Sequence, residues 1–162
     1  MTAEREVVVR PLGRPGDLGW VVMAHGELYT REFGWDVSFE GFVARIVADY
    51  AEDSRERAAW IAEVDGERAG CVFCVRADDR TAKLRLLLVD PRARGLGLGA
   101  RLVGECLAYA RDAGYAAITL WTNDILDSAR HIYRKQGFEL VAEEPHHSFG
   151  HDLVGQTWER RL

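Results

Sequence analysis

The chain has 162 residues, 48% of them apolar and 29% charged, and a formal net charge of −5. That length holds one domain with a core of its own, the composition is that of an ordinary globular protein rather than a disordered or fibrous one, and the negative charge excludes a general nucleic-acid binder. No apolar run approaches the roughly 20 residues of a membrane span, and the start, Met1-Thr2-Ala3-Glu4-Arg5-Glu6, lacks the apolar core of a signal peptide, so the reading is a cytoplasmic protein without membrane association.

Val7 to Arg10 forms a short first strand ended by Pro11, followed by a loop with Gly13, Pro15 and Gly16. From Leu18 to Phe33 the pattern is mixed, and Gly19 and Gly26 argue against one unbroken helix. Ser38 to Tyr50 is a clearer helix, because Phe39, Phe42, Val43, Ile46 and Val47 recur at helical spacing. The charged stretch Glu52 to Arg57 ends it or forms a loop. Trp60 to Val64 and Gly70 to Val75 flank Asp65-Gly66-Glu67, the pattern of a β-hairpin turning on Asp-Gly.

A polar turn at Asp78-Asp79-Arg80 leads to a strand from Lys83 to Val89. Leu98, Leu102, Val103, Cys106, Leu107 and Ala110 then mark one face of a helix stopped by Gly114. Ala116 to Thr122 is a strand, and Asp124 or Asp127 is placed to cap a short helix running to Gln136, with Gly137 as its stop. Phe138 to Ala142 and Val154 to Trp158 read as two closing strands around a long polar loop. The order β-α-α-β-β-β-α-β-α-β-β, without repeats, low-complexity segments or linkers, predicts an α/β fold on a mixed sheet.

Cys71 and Cys74 form a C-x-x-C, a spacing used for zinc and redox chemistry. They lie on a predicted strand, where positions three apart face opposite ways, and no second ligand pair exists. Buried structural thiols are the reading, and Cys106 joins them on the apolar stripe of its helix.

The stretch with most chemical content is Val89-Asp90-Pro91-Arg92-Ala93-Arg94-Gly95-Leu96-Gly97-Leu98-Gly99. A strand, an arginine, three alternating glycines and a helix make a cradle for a pyrophosphate. Glycine lets the backbone turn tightly and approach a ligand, and the free amides of a helix start face an anion. A Rossmann dinucleotide site does not fit. The motif is not in a first βαβ unit, and the next strand ends in Trp121-Thr122-Asn123 rather than in a ribose-binding acid.

These residues resemble those of the GNAT acetyltransferases, enzymes that use acetyl-coenzyme A and carry Arg/Gln-x-x-Gly-x-Gly/Ala between their fourth strand and third helix. Here that motif is Arg94-Gly95-Leu96-Gly97-Leu98-Gly99. A second signature, an Ala, a Tyr four residues on and then Gly-Phe, is met by Ala129, Tyr133 and Gly137-Phe138. The element order agrees as well. The resemblance therefore covers nearly the whole chain and implies a single GNAT domain over residues 1–162, with a mixed sheet of six to seven strands flanked by about four helices. The tail EEPHHSFGHDLVGQTWERRL is similar to a narrower subgroup, the acetyltransferase halves of proteins that also carry an N-terminal MarR-type DNA-binding domain. These 162 residues have no room for that domain, so the chain reads as a free-standing relative or as an excised half.

The resemblance implies direct transfer of acetyl from acetyl-CoA to the primary amine of a small molecule, without a metal and without an acetyl-enzyme on cysteine. Amides around Leu96, Gly97, Leu98 and Gly99 would hold the pyrophosphate, with Gly95 in the turn and charge from Arg94 and Arg92. The main chain of Leu88 and Val89 would pair with the pantetheine arm, and the strand ending at Trp121 to Asn123 would splay away to admit the thioester. Tyr133 is the general acid of this reading. A phenol (reference pKa about 10) keeps its proton at neutral pH and can pass it to a departing thiolate (about 8.5).

The base is less marked. Many family members place a carboxylate on the fourth strand, where this chain has Lys83 and Arg85. Glu63 is the candidate, with His25 and His147 as alternatives. An Asn that family members often carry seven residues before the Tyr is Leu126 here, and Asn123 is the nearest substitute at the cofactor. His131 faces another side of the helix from Tyr133.

Acceptor recognition is expected from Tyr29, Glu32, Phe33, Trp35 and Asp36 and from His146, His147, Ser148, Phe149 and His151. Tyr29, Trp35 and His147 are taken as the substrate-binding residues. Aromatics with a few carboxylates suit an ammonium group, and the three histidines form no convincing metal set. Two other functions share these motifs: a protein acetyltransferase acting on lysines or N-termini, which needs an open groove, and a non-catalytic acyl-CoA sensor serving a regulator. Family members often pair, so the resemblance admits a homodimer.

Overall fold

The computed structural model describes residues 4–162. Met1, Thr2 and Ala3, part of the stretch read for a signal peptide, lie outside the described residues. Along the chain run strand β1 (Val7–Pro11), helices α1 (Asp17–Phe33) and α2 (Val37–Glu52), and strands β2 (Ala58–Val64), β3 (Glu67–Arg76) and β4 (Thr81–Val89). A 3-10 turn over Pro91–Ala93 leads to helix α3 (Leu98–Asp112), strand β5 (Ala117–Asn123), helix α4 (Asp127–Lys135) and strands β6 (Glu139–Ser148) and β7 (His151–Arg161). The seven strands form one sheet in the order β1-β2-β3-β4-β5-β7-β6. Every pairing is antiparallel except β4 with β5, so this is the mixed α/β sheet that the element order predicts.

Each face of the sheet carries its own core. On one side Leu98, Leu102, Val103, Cys106, Leu107 and Ala110 of α3 pack on Val72, Cys74, Ala82, Leu84, Ile118 and Leu120. On the other Val21, Leu28, Trp35, Phe39, Val43 and Val47 from α1, α2 and their junction pack on Ile61, Cys71, Phe73 and Leu88. β3 serves both cores. Its Cys71 and Cys74 are fully buried on opposite faces as free thiols, the outcome that strand alternation requires.

Helix α1 is pinned at its start by a buried carboxylate. Asp17 accepts from Arg10 Nη1 and Nη2 at 2.8 and 2.9 Å, from Arg68 Nε at 2.9 Å and from the amides of Gly13 and Arg14. The guanidinium of Arg10 holds the Asp17 carboxyl well below the usual carboxylate range. The Asp65-Gly66 turn forms as expected, with φ of 53° and 81° at its two residues, the left-handed pair of a two-residue hairpin.

Three local expectations are corrected. α1 is one unbroken helix, and Gly26 is the place where α2 comes close, since a Cβ there would collide with the Glu40 side chain. Neither Asp124 nor Asp127 caps α4; Leu126 occupies the cap position and Asp127 opens the first turn, where a negative charge suits the helix dipole. The long polar loop before β7 is strand. β6 runs to Ser148 and turns in two residues, Phe149 and Gly150, onto His151. Their φ values, 58° and 83°, are those of another tight hairpin turn. β6 is the edge strand and is exposed over most of its length, so its side chains carry no apolar alternation.

Candidate active site

β4 and β5 pair only at Thr81–Ala117, Ala82–Ile118 and Lys83–Thr119. Beyond Lys83 the two strands diverge, as the resemblance implies. β4 is irregular at the point of departure. Its antiparallel register with β3 places Leu88 opposite Cys71 but Arg85 opposite Phe73, so Leu86 and Leu87 crowd against one residue of β3. Leu86 takes a left-handed φ of 55°, and its carbonyl accepts from the Cys71 thiol at 3.2 Å. A bulge of this kind bends a strand and re-aims the residues beyond it. The uninterrupted Leu86-Leu87-Leu88 is its only trace in the sequence.

The split opens a cavity of about 340 Å³ through the sheet, so that side chains from both cores meet in it. From the α1–α2 side come His25, Tyr29, Trp35, Phe39 and Phe42, with Phe149 of the β6–β7 turn. From the α4 side come Leu126, Ala129 and Tyr133, and β5 adds Trp121, Thr122 and Asn123.

Tyr133 is buried, with its ring 5.8 Å from that of Phe138. Burial drives its phenol well above the ordinary value, and nearby Tyr29 adds to the effect. Tyr29 is raised in the same way. His25 is 2% exposed, is stacked on Tyr29 with ring centroids 5.8 Å apart, and lies with Nδ1 2.8 Å from the carbonyl oxygen of Val21. That carbonyl can only accept, so Nδ1 carries the hydrogen and Nε2 keeps its lone pair. Burial lowers the His25 pKa to about 4, so the ring is neutral at pH 7. Trp35 is 1% exposed, and its indole Nε1 has no hydrogen-bond partner among the described residues.

At the end of β5, Asn123 Oδ1 lies 2.7 Å from His146 Nε2, and His146 Nδ1 lies 2.9 Å from Ser148 Oγ. The Trp121 ring rests over Gly155 of β7, where a Cβ would come within 2.7 Å of it. From β4, Lys83 and Arg85 line the cavity half-buried. Among the described residues no Asp or Glu lines it.

The glycine loop follows β4 directly. Gly95 and Gly97 have φ of 86° and 71°, and a Cβ on either would meet nothing within 4 Å. These two therefore supply backbone conformation and open space. Gly99 differs: it is buried in the first turn of α3, where a Cβ would come within 2.5 Å of Ile132 Cδ1, so it lets α4 lie close. Leu96 is exposed, whereas Leu98 points into the core. Gly97 is the cap residue of α3 and offers no side chain to the amides of the first turn, which leaves them for a ligand. Arg94 is paired with Glu32 of α1. Leu88 and Val89 pair with Cys71 and Gly70 on the β3 side and face no strand on the other.

Two expected residues lie elsewhere. Glu63 does not line the cavity; it is held by Arg10 Nε at 2.9 Å and by Arg14 at 3.6 Å, so it belongs to the ion-pair cluster that anchors α1. His147 is exposed on β6 with Nδ1 2.8 Å from Asp152, because strand alternation turns it away from the side used by His146. His146, whose neighbours are Trp121 and Asn123, is the histidine of that pair nearest the cavity. Tyr29 and Trp35 do line the cavity, and His131 is exposed. Among the described residues no group of three or more His, Cys, Asp or Glu is arranged to hold a metal, and no helix is long and apolar enough to cross a membrane.

The sequence model of the acetyltransferase (GNAT) family matches residues 23–138. Spermidine N(1)-acetyltransferase of Escherichia coli K12 is 28% identical over 158 residues, which cover 92% of this chain and 81% of that protein. An acetyltransferase of the GNAT family from Staphylococcus aureus has the same fold, with a TM-score of 0.79 at 18% identity over 97% of this chain and 99% of that one. A chain from Salmonella typhimurium, solved with its cofactor acetyl-CoA, gives a TM-score of 0.75 at 18% identity over 97% and 94%.

Proposed function

The chain belongs to the GNAT acetyltransferase family, and from that premise we propose that it moves the acetyl group of acetyl-CoA to the primary amine of a small molecule by direct transfer, with Tyr133 as general acid. The observation that carries this reading is the cavity at the β4–β5 split, which Tyr133 lines beside the unpaired edge of β4.

The residues present fit acetyl-CoA. The space over Gly95 and Gly97, which a Cβ would begin to fill, and the uncapped amides of α3 suit a pyrophosphate. Arg94 would add its charge there, and the edge of β4 at Leu88 and Val89 that faces away from β3 is open to pair with an extended arm. Asn123 is the side chain at the far end of the split. Acetyl-CoA supplies an activated thioester carbonyl; the remaining steps fall to this chain's own groups.

Tyr133 holds its proton through neutral pH and releases it to the sulfur as the thiolate departs. The apolar cavity that disfavours the phenolate also disfavours the free thiolate, so the proton moves between two groups raised together. The acceptor enters as the neutral amine, as an α-amino group (pKa about 7.7–8.0) partly is at neutral pH, and the proton its nitrogen sheds as the amide forms replaces the one Tyr133 gives to the sulfur; Glu63 is committed to Arg10 and Arg14. Burial raises the Cys71 and Cys106 thiols, and no cysteine lines the cavity, which supports direct transfer over an acetyl-cysteine route. Tyr29, Trp35 and Phe149 wall the acceptor side in rings 5.0 to 5.2 Å apart, a closure that favours a small amine over an extended peptide. Three free thiols suit the reducing cytoplasm.

The test is mass spectrometry of pooled amines and peptides incubated with the protein and acetyl-CoA. A small amine that gains one acetyl group supports the proposal, and acetylation confined to peptides overturns the small-molecule part. Binding of acetyl-CoA without any transfer leaves a non-catalytic acyl-CoA-binding module.

A further inference from the structure

The acceptor side of the cavity is basic. Among the described residues its ionisable lining groups are Lys83 and Arg85 of β4, the neutral His25, and the phenols Tyr29 and Tyr133, with no carboxylate among them. We propose that the acceptor amine also carries an acid group, as an α-amino acid with a bulky apolar side chain does, and that Lys83 and Arg85 hold that acid. This rests on the acetyltransferase reading above and names its substrate class.

Lys83 and Arg85 lie two apart on β4 and so share the face turned to α1 and α2. Both are half-buried, and among the described residues neither has an ion-pair partner within 4.0 Å. Arg10, Arg55 and Arg94, by contrast, are matched with the carboxylates of Asp17, Asp53 and Glu32. Desolvation works against the charge on both Lys83 and Arg85, and Arg85 works against that on Lys83. Lys83 and Arg85 also line an adjoining recess with Asp49, Glu52 and Asp53, from which Asp49 acts on Arg85 without coming within ion-pair distance. Two partly desolvated, unmatched cations beside a cavity gain from an anion. The unpartnered Nε1 of Trp35 is one more donor among the lining residues.

Apart from Thr122 and Asn123, the rest of the wall is aromatic and aliphatic, with Phe39, Phe42, Ile46, Trp121 and Phe149 among its residues. It suits a large apolar side chain. A polyamine would bring further ammonium groups past Lys83 and Arg85, and no carboxylate lines this cavity to receive them, so the acceptor named for the Escherichia coli relative matches this lining less well than an amino acid does.

The experiment compares phenylalanine, phenethylamine (the same amine without its carboxylate) and spermidine as acceptors. It also measures the binding of N-acetylphenylalanine by calorimetry, a readout that needs no turnover. The expected kcat/KM favours phenylalanine over both other amines by at least tenfold. Lys83→Met and Arg85→Met should each collapse that ratio by tenfold or more through KM and weaken N-acetylphenylalanine binding, while Lys83→Arg and Arg85→Lys keep most of both. Preference for phenethylamine or spermidine overturns the proposal, as does a ratio unchanged in both Met variants. If no amine is acetylated, the catalytic reading falls by itself. The binding arm still decides this one: charge-dependent binding supports an acid-recognising cavity, and absence of binding to the native chain overturns it.

Discussion

Arg94, in the loop between β4 and α3, is ion-paired with Glu32, in the last turn of α1 and 62 residues earlier in the chain. The pair ties the proposed pyrophosphate cradle to the helix that walls the acceptor side. Arg94 is about half exposed, and pairs of that exposure contribute roughly 0–1 kcal/mol. Arg94→Ala should therefore leave Tm nearly unchanged. A hydrogen bond to a charged group adds about 1.5–3 kcal/mol to binding, so the same variant should raise KM for acetyl-CoA by roughly 10- to 100-fold. Glu32→Gln frees the guanidinium and should hold that KM level or lower it. An Arg94→Ala enzyme with native KM would remove the residue from the cradle.

Tyr133→Phe keeps the ring and its packing against Phe138 while deleting the proposed proton donor. Volume-conserving core changes cost little, so stability should stay within about 1 kcal/mol of native. Loss of a positioned acid lowers turnover by about 100-fold or more. The loss should appear in kcat, with KM for acetyl-CoA near native. Steady-state kinetics across pH 7 to 9 decides it, and an unchanged kcat would eliminate the phenol as acid.

Two buried groups set how the fold responds to acid. The native pKa of His25 is about 4, against roughly 6.5 in an unfolded chain. Between those values the unfolded state binds a proton that the native state refuses, so stability falls as pH drops through that window, by about 3 kcal/mol once below it. Asp17 acts later. Its native carboxyl is held low by Arg10, so its contribution is complete above the ordinary carboxylate range and is lost as pH falls below about 4. Denaturant titrations at pH 7, 5.5 and 4.5 should show the first decline, and His25→Gln should flatten it whatever it does to stability at pH 7. A decline with the same slope in that variant would assign the effect to another group.

The order of strands and helices, the Asp65-Gly66 hairpin and the glycine loop were legible because each is encoded over a few neighbouring residues. The parts that were not legible depend on distant partners. Gly26 reads as a helix breaker until Glu40 of α2 is seen lying against it. Glu63 has the chemistry of a base, but Arg10 and Arg14, some 50 residues earlier, hold it among the ion pairs of α1. The polar run before β7 hides an edge strand, since an edge exposed on most of its length needs no apolar alternation. The bulge at Leu86 leaves only a loss of period in a leucine run. Lys83 and Arg85 stood out in the sequence as departures from a family pattern, and their meaning appears only once the cavity they line is known to hold no carboxylate.

Two glycines give opposite expectations for the same substitution. Gly70 of β3 sits beneath the cofactor end of β4, where a Cβ would come within 2.9 Å of the Leu88 carbonyl oxygen and 3.3 Å of Leu102 Cδ1. The carbonyl is main chain and cannot swing aside, so Gly70→Ala must shift β4, at a cost of about 1–3 kcal/mol. Because that shift displaces the main chain proposed to receive the pantetheine arm, KM for acetyl-CoA should rise with the loss of stability. Gly104 lies inside α3, where a Cβ would meet nothing within 4 Å. There the entropic penalty of glycine in a helix dominates, and Gly104→Ala should stabilise by about 0.5–1 kcal/mol with unchanged kinetics. Thermal denaturation of the two variants side by side, with KM for acetyl-CoA measured on each, tests the packing beneath β4 directly. A Gly70→Ala protein as stable as native, with native KM, would mean that the close approach of β3 to Leu88 does not hold the cofactor end of the strand in place.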